Sequence, residues 1–119
     1  MWTFSQDSGA ISLDGAPMGT GYAGRGADKD NPSAQFVVDE GPLPQGFYTI
    51  GAFHRDPKLG PCMALTPDAS NIMEGRGGFF MHLENPSHPG WSSEGCIVVP
   101  PALIEQIAAS SDKRLQVTV

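Results

Sequence analysis

Residues 79–101 read FFMHLENPSHPGWSSEGCIVVPP, and the fold class follows from how this stretch changes character along its length. FFMHL (79–83) is a short apolar run, the right size for a strand and too short for a helix. The next segment, ENPSHPGWSSEG (84–95), is rich in Pro, Gly and Ser and continues neither element. CIVV (96–99) is β-branched and apolar, a second strand. Pro100 and Pro101 then suit the first turn of a helix, where missing N–H groups cost nothing. Behind them Leu103, Ile104, Ile107 and Ala108 make one apolar stripe, and Ser110, Ser111 and Asp112 end it.

The same signals extend outward. WTFS and AISL alternate around Gln6-Asp7-Ser8-Gly9, which predicts an N-terminal hairpin over 2–13. Residues 14–34 are dense in Gly, Asp and Asn and read as a long ordered loop, with Tyr22 and Arg25 as its two side chains of interest. QFVV (35–38) reads as a short strand. FYTIGAF (47–53) reads as a strand with Phe47, Thr49 and Gly51 on one face, and 54–61 as a loop. CMALTP (62–67) is a further strand, and LQVTV (115–119) a last one with Leu115, Val117 and Val119 turned inward. Fifteen Gly and eleven Pro in 119 residues require many turns, which favours short strands over long helices. The expectation is one compact, mostly β domain over 1–119, a β-sandwich or barrel with one short helix near the C-terminus.

Bulk properties exclude some functions. A formal charge of −6 with seven scattered Lys and Arg residues offers no basic patch for nucleic acid. No window approaches the run of apolar residues that a membrane span needs. The N-terminus shows neither a basic segment nor a continuous apolar one, so no secretory signal is read there. There is no HExxH, no CxxC and no His pair of ligand spacing, so neither a metal nor a cofactor is expected.

The chemistry-bearing residues sit in the opening stretch. Cys96 lies where a polar loop enters a buried strand, partly open yet rigidly held, which suits a nucleophilic thiol. Gly95 would let a substrate carbonyl approach, with the Gly95 and Cys96 N–H groups as oxyanion donors. The competing reading of Cys96 is a small buried hydrophobe beginning a strand. Cys62, inside an apolar strand, reads as core. A thiol needs a neighbouring imidazole. His82 is borne on a strand and so fixed in direction, although a half-buried His bonded to a main-chain carbonyl fits the same pattern. His88, between Ser87 and Pro89, reads as a solvated loop residue.

An apolar strand ending in His82, a loop, and then Ser93-x-Gly95-Cys96-Ile97 resembles the L,D-transpeptidase (YkuD-type) signature, with Cys96 placed 14 positions after His82. The rest of the chain is similar to one branch, the type VI secretion L,D-transpeptidase effectors of the Tlde1-like domain family. The segments that carry this are WTFSQDSGAISLDG, GYAGRG (21–26), DNP (30–32), GPLPQGFYTIG (41–51), GPCMALTP (60–67), GRGGFFMHLEN (75–85) and SSEGCIVV (92–99). Two positions depart: Glu94 stands where the broader motif has a second His, and Leu83 where Gly is common.

The resemblance implies an enzyme that attacks the stem tetrapeptide of peptidoglycan through a Cys96 thioester, with His82 as base and the Gly95 backbone beside the intermediate; Ser93 either donates to that intermediate or caps the turn. It releases or exchanges the terminal D-Ala. It implies substrate contacts from Arg76 and Arg25, with Tyr22, Trp91 and Asn85 lining the groove; solvated arginines and packed aromatics are the alternatives. As an antibacterial toxin it would be made in the bacterial cytoplasm without a signal peptide and would act in the periplasm of a target cell. Such a role allows for a secretion apparatus and a cognate immunity protein as partners. A catalytically altered domain of the same fold that only binds wall peptides is the alternative function.

Overall fold

The computed structural model describes all 119 residues. Ten strands and one helix follow in chain order: β1 (Trp2–Ser5), β2 (Ala10–Leu13), β3 (Ala16–Thr20), β4 (Tyr22–Ala23), β5 (Gly46–Ile50), β6 (His54–Asp56), β7 (Gly60–Pro67), β8 (Phe79–His82), β9 (Ile97–Val98), α1 (Pro101–Ala109) and β10 (Arg114–Thr118). All belong to one sheet in the order β3-β2-β1-β10-β5-β7-β8-β9-β4, with β6 paired to β7. The β1–β10 and β8–β9 pairings are parallel and the others antiparallel. The two ends of this order, β3 and β4, are consecutive in the chain with Gly21 alone between them, so the sheet is a nearly closed barrel. A Cβ at Gly21 would lie 2.4 Å from the Val98 carbonyl oxygen; only glycine lets the chain cross from one sheet edge to the other this closely.

Inside the barrel pack Trp2, Phe4, Tyr48, Met63, Met81, Ile97 and Leu115 with Ile104 and Ile107 of α1. The helix forms as the double proline predicts, and Leu103 meets Gly19 of β3. Its last carbonyls, of Ile107 and Ala108, accept hydrogen bonds from the Lys113 ammonium at 3.1 and 2.9 Å, a basic cap at the negative end of the helix.

Four local expectations change. The 14–34 segment contains β3 and β4, because pairing with β2 and β9 draws a Gly-rich stretch into the sheet. QFVV forms no strand: after a 3₁₀ turn over Pro32–Ala34 the Val37 N–H bonds the Ala34 carbonyl and the Gly41 N–H the Val37 carbonyl. That coils the chain and leaves Phe36, Val37 and Val38 exposed. Residues 54–61 form β6, a tight turn and the start of β7, the turn closed by the Asp56 carboxylate accepting from the Lys58 and Leu59 N–H groups. Finally, Val119 is exposed beyond the end of β10, while Leu115 and Val117 point inward as the alternation requires.

Candidate active site

The alternation that builds the core also places the reactive residues on the opposite face of the sheet. Met63, Met81 and Ile97 point into the core and are cross-strand neighbours on β7, β8 and β9. Cys62 and His82, one residue along, are partners of each other, and His54 on β6 partners Cys62. The outer face of β6, β7 and β8 therefore carries a row of His54, Cys62 and His82, and Cys96 enters beside Phe80 at the start of β9.

His82 is buried, and its Nδ1 lies 2.8 Å from the Leu83 carbonyl oxygen. A carbonyl can only accept, so Nδ1 carries the proton and Nε2 is left with its lone pair. Cys96 is half-buried, and its Sγ accepts a hydrogen bond from the Phe80 N–H at 3.3 Å. Burial pushes the Cys96 thiol above its ordinary value and the Glu94 carboxylate adds to this; the N–H groups of Phe80 and of Cys96 itself, and the Arg76 charge, work the other way. The net direction is upward, towards the protonated thiol.

His82 and Cys96 line one open cleft of about 790 Å³. Arg25, Asn85, Trp91 and Glu94 line it too, as do His88 and the hairpin tip at Pro57–Gly60. Trp91 is 59% exposed and reaches across to the 25–28 turn, where its ring would be 3.2 Å from a Cβ at Gly26. Asn85 shapes its own loop, its side chain accepting from the Ser87 N–H and its carbonyl from the His88 N–H.

Four of the expected site residues lie outside the cleft lining. Arg76 is buried, and its guanidinium donates to four main-chain carbonyls: Gln35 at 2.7 Å, Pro42 at 2.8 Å, Gly41 at 3.1 Å and Glu94 at 3.0 Å. Both terminal nitrogens are consumed, so the substrate contact expected of Arg76 gives way to a clamp between the 35–42 segment and the nucleophile loop. Ser93 is fully buried; its Oγ accepts from the Gly24 and Gly95 N–H groups at 2.9 and 3.0 Å and donates to the Cys96 carbonyl at 2.6 Å. It fixes the loop from behind.

The Gly95 N–H is therefore spent on Ser93 and is not free to serve an oxyanion, while its carbonyl accepts from the Leu43 N–H. Gly95 has φ +129° and a Cβ there would stand 2.6 Å from both Arg76 Nη2 and Phe79, so glycine is required for this approach rather than for substrate access. Tyr22 faces a second groove of about 630 Å³, sharing the Leu83, Glu84 and Pro86 wall with the first. Its hydroxyl donates to Glu84 and accepts from the Ser92 N–H.

Glu84 is the residue that sequence reasoning passes over. Its carboxylate gathers the Tyr22 hydroxyl, the Ser92 hydroxyl and the Gly90 N–H, tying the 84–92 loop to β4. These bonds hold its carboxyl below the usual range despite burial. Nothing in the sequence signals a partner 62 positions away. The 57–60 tip had a usable signal in its Asp-Pro-Lys-Leu-Gly turn chemistry. The other thiol, Cys62, is fully buried and raised by burial, with its Sγ 3.5 Å from His54 Nε2.

Residues 18–118 match the Tlde1 domain. The chain belongs to that family. Tlde1 membership points to a peptidoglycan-acting enzyme of the type VI effector kind, and His82 and Cys96 both fall inside the matched segment. A comparison with curated proteins finds no match to the chain. No helix is long and apolar enough to cross a membrane.

Proposed function

We propose that this Tlde1 domain is a cysteine L,D-transpeptidase that attacks the stem tetrapeptide of peptidoglycan and releases or exchanges its terminal D-Ala. The observation that carries the reading is the placement of Cys96 and an orientation-locked His82 on neighbouring strands facing one cleft. His82 Nε2 removes the thiol proton as Cys96 Sγ attacks the carbonyl of the third residue. Burial favours the protonated thiol, so the reaction needs His82 to take that proton. The oxyanion forms against the Cys96 N–H. Its collapse to a thioester expels D-Ala, whose amine takes the proton from His82.

Water then yields an L,D-carboxypeptidase, a free D-amino acid yields exchange, and a neighbouring stem amine yields a 3–3 crosslink. Arg25, Asn85 and Trp91 hold the stem in the cleft. Delivery by type VI secretion brings the protein to the periplasm of a target cell, and an immunity protein spares the producer; family membership supports both.

The test follows D-Ala release from purified tetrapeptide muropeptides by wild type, Cys96→Ala, His82→Ala and His88→Ala. Release by wild type and His88→Ala, with none from the other two, is the expected result. Wild type that binds the tetrapeptide yet leaves it intact replaces this reading with a wall-peptide-binding domain. The Glu94 carboxylate, which raises the thiol, favours that alternative.

A further inference from the structure

The cleft contains two carboxylates, and only one has acceptor capacity to spare. Glu84 is occupied by two hydroxyls and an N–H. Glu94 points into the cleft with its side chain 65% exposed, and its nearest cation is Arg25, 3.8 Å away. Arg25 in turn reaches Glu40 at 3.5 Å. Both separations exceed those of a well-formed charge-assisted hydrogen bond, so the guanidinium lies between two carboxylates without being consumed by either.

A simple carboxylate entering at Arg25 would meet both of those anions within 4 Å of the same guanidinium. In a chain of formal charge −6 that repulsion offsets most of the attraction. A ligand that also brings an ammonium removes the difficulty: its carboxylate replaces Glu94 at Arg25 while its ammonium takes Glu94. The charge balance of the site is unchanged, and one loose ion pair becomes two close ones.

We propose that Arg25 and Glu94 form a binding site for the zwitterionic head group of an amino acid, with Glu94 holding the ammonium and Arg25 the carboxylate. This rests on the proposed reaction for its choice of ligand. Two sources share the chemistry: the far end of a diamino diacid at the third stem position, and a free D-amino acid awaiting transfer. Glu94, where the broader transpeptidase motif has a histidine, is then a specificity-determining residue.

The test uses the full chain carrying Cys96→Ala, so that ligands bind without turnover, with affinities measured by calorimetry. The probes are a diaminopimelate tetrapeptide and free D-alanine, each with and without N-acetylation of the amine in question. With Glu94 present, acetylation should weaken binding about tenfold, as expected for loss of a charge-assisted hydrogen bond. With Glu94→Gln added, acetylation should cost less than about twofold. Thermal melting of each variant checks that the fold is intact. Coupling seen with the tetrapeptide assigns the stem residue, and coupling seen only with D-alanine assigns the acceptor.

Equal acetylation losses with and without Glu94 for both probes overturn the proposal, as does a failure of both probes to bind. The enzymatic reading fails separately: wild type that releases no D-Ala while the coupling persists sinks the reaction and leaves the site.

Discussion

Replacing Arg76 by Met should destabilise the domain more than any other single change to a charged residue. The guanidinium is the only hydrogen-bond donor to the Gln35, Gly41, Pro42 and Glu94 carbonyls, none of which accepts a main-chain bond. The bonds to Gly41 and Pro42 are buried and those to Gln35 and Glu94 only partly so. Carbonyls at the partly buried positions recover water, whereas the other two are left orphaned at about 1–3 kcal/mol each. Relief from burying a charge offsets some of this, so a net loss of about 3 kcal/mol is expected. That is a large share of the roughly 5–15 kcal/mol available to a domain, and at about 4 °C per kcal/mol it lowers the melting temperature by ~12 °C. Arg76→Lys has three donors on a flexible stem and should fall between. Urea and thermal denaturation of the three proteins decide the matter. An Arg76→Met variant within 1 kcal/mol of wild type would refute the clamp and return Arg76 to the list of substrate contacts.

Three further outcomes are expected. Ser93→Ala leaves the Gly24 and Gly95 N–H groups without acceptors and should cost about 2–4 kcal/mol, read by the same denaturation, with D-Ala release lost in parallel as the loop loosens. The Cys96 thiol, raised by burial and by Glu94, should show an iodoacetamide alkylation midpoint above that of a free cysteine; Glu94→Gln should move it down, and an upward or absent shift contradicts the assignment. The folded state holds this proton more tightly than the unfolded chain, so its contribution to stability is complete below the ordinary thiol value and lost as pH rises towards the folded one. Cys62 is the partner of His82, while Cys96 enters beside Phe80 two positions back and one strand over. With β8 between them, β7 and β9 lie two strand spacings of about 4.8 Å apart, more than the roughly 7 Å that a disulfide tolerates between Cα atoms, so oxidising conditions should leave two free thiols, with Cys96 alkylated first.

The elements legible from residue pattern are those whose cause is local. Period-two alternation gives β1, β7, β8 and β10, and the double proline with its apolar stripe gives α1. The same alternation and the motif around Cys96 single out His82 and Cys96, because a strand fixes where a side chain points whatever packs above it. Tertiary structure decided what those residues are surrounded by. Closing the barrel through Gly21 draws β3 and β4 from an apparent loop and brings Tyr22 to Glu84. Packing of the 35–42 segment against the chain ahead of β8 gives Arg76 its main-chain carbonyl partners. The bond from the Gly95 N–H to Ser93, two residues back, is by contrast a local serine turn. Arginine, tyrosine and glycine each have one local appearance and several uses, and a hydrogen-bond partner 41 or 62 positions away exists only once the chain has folded.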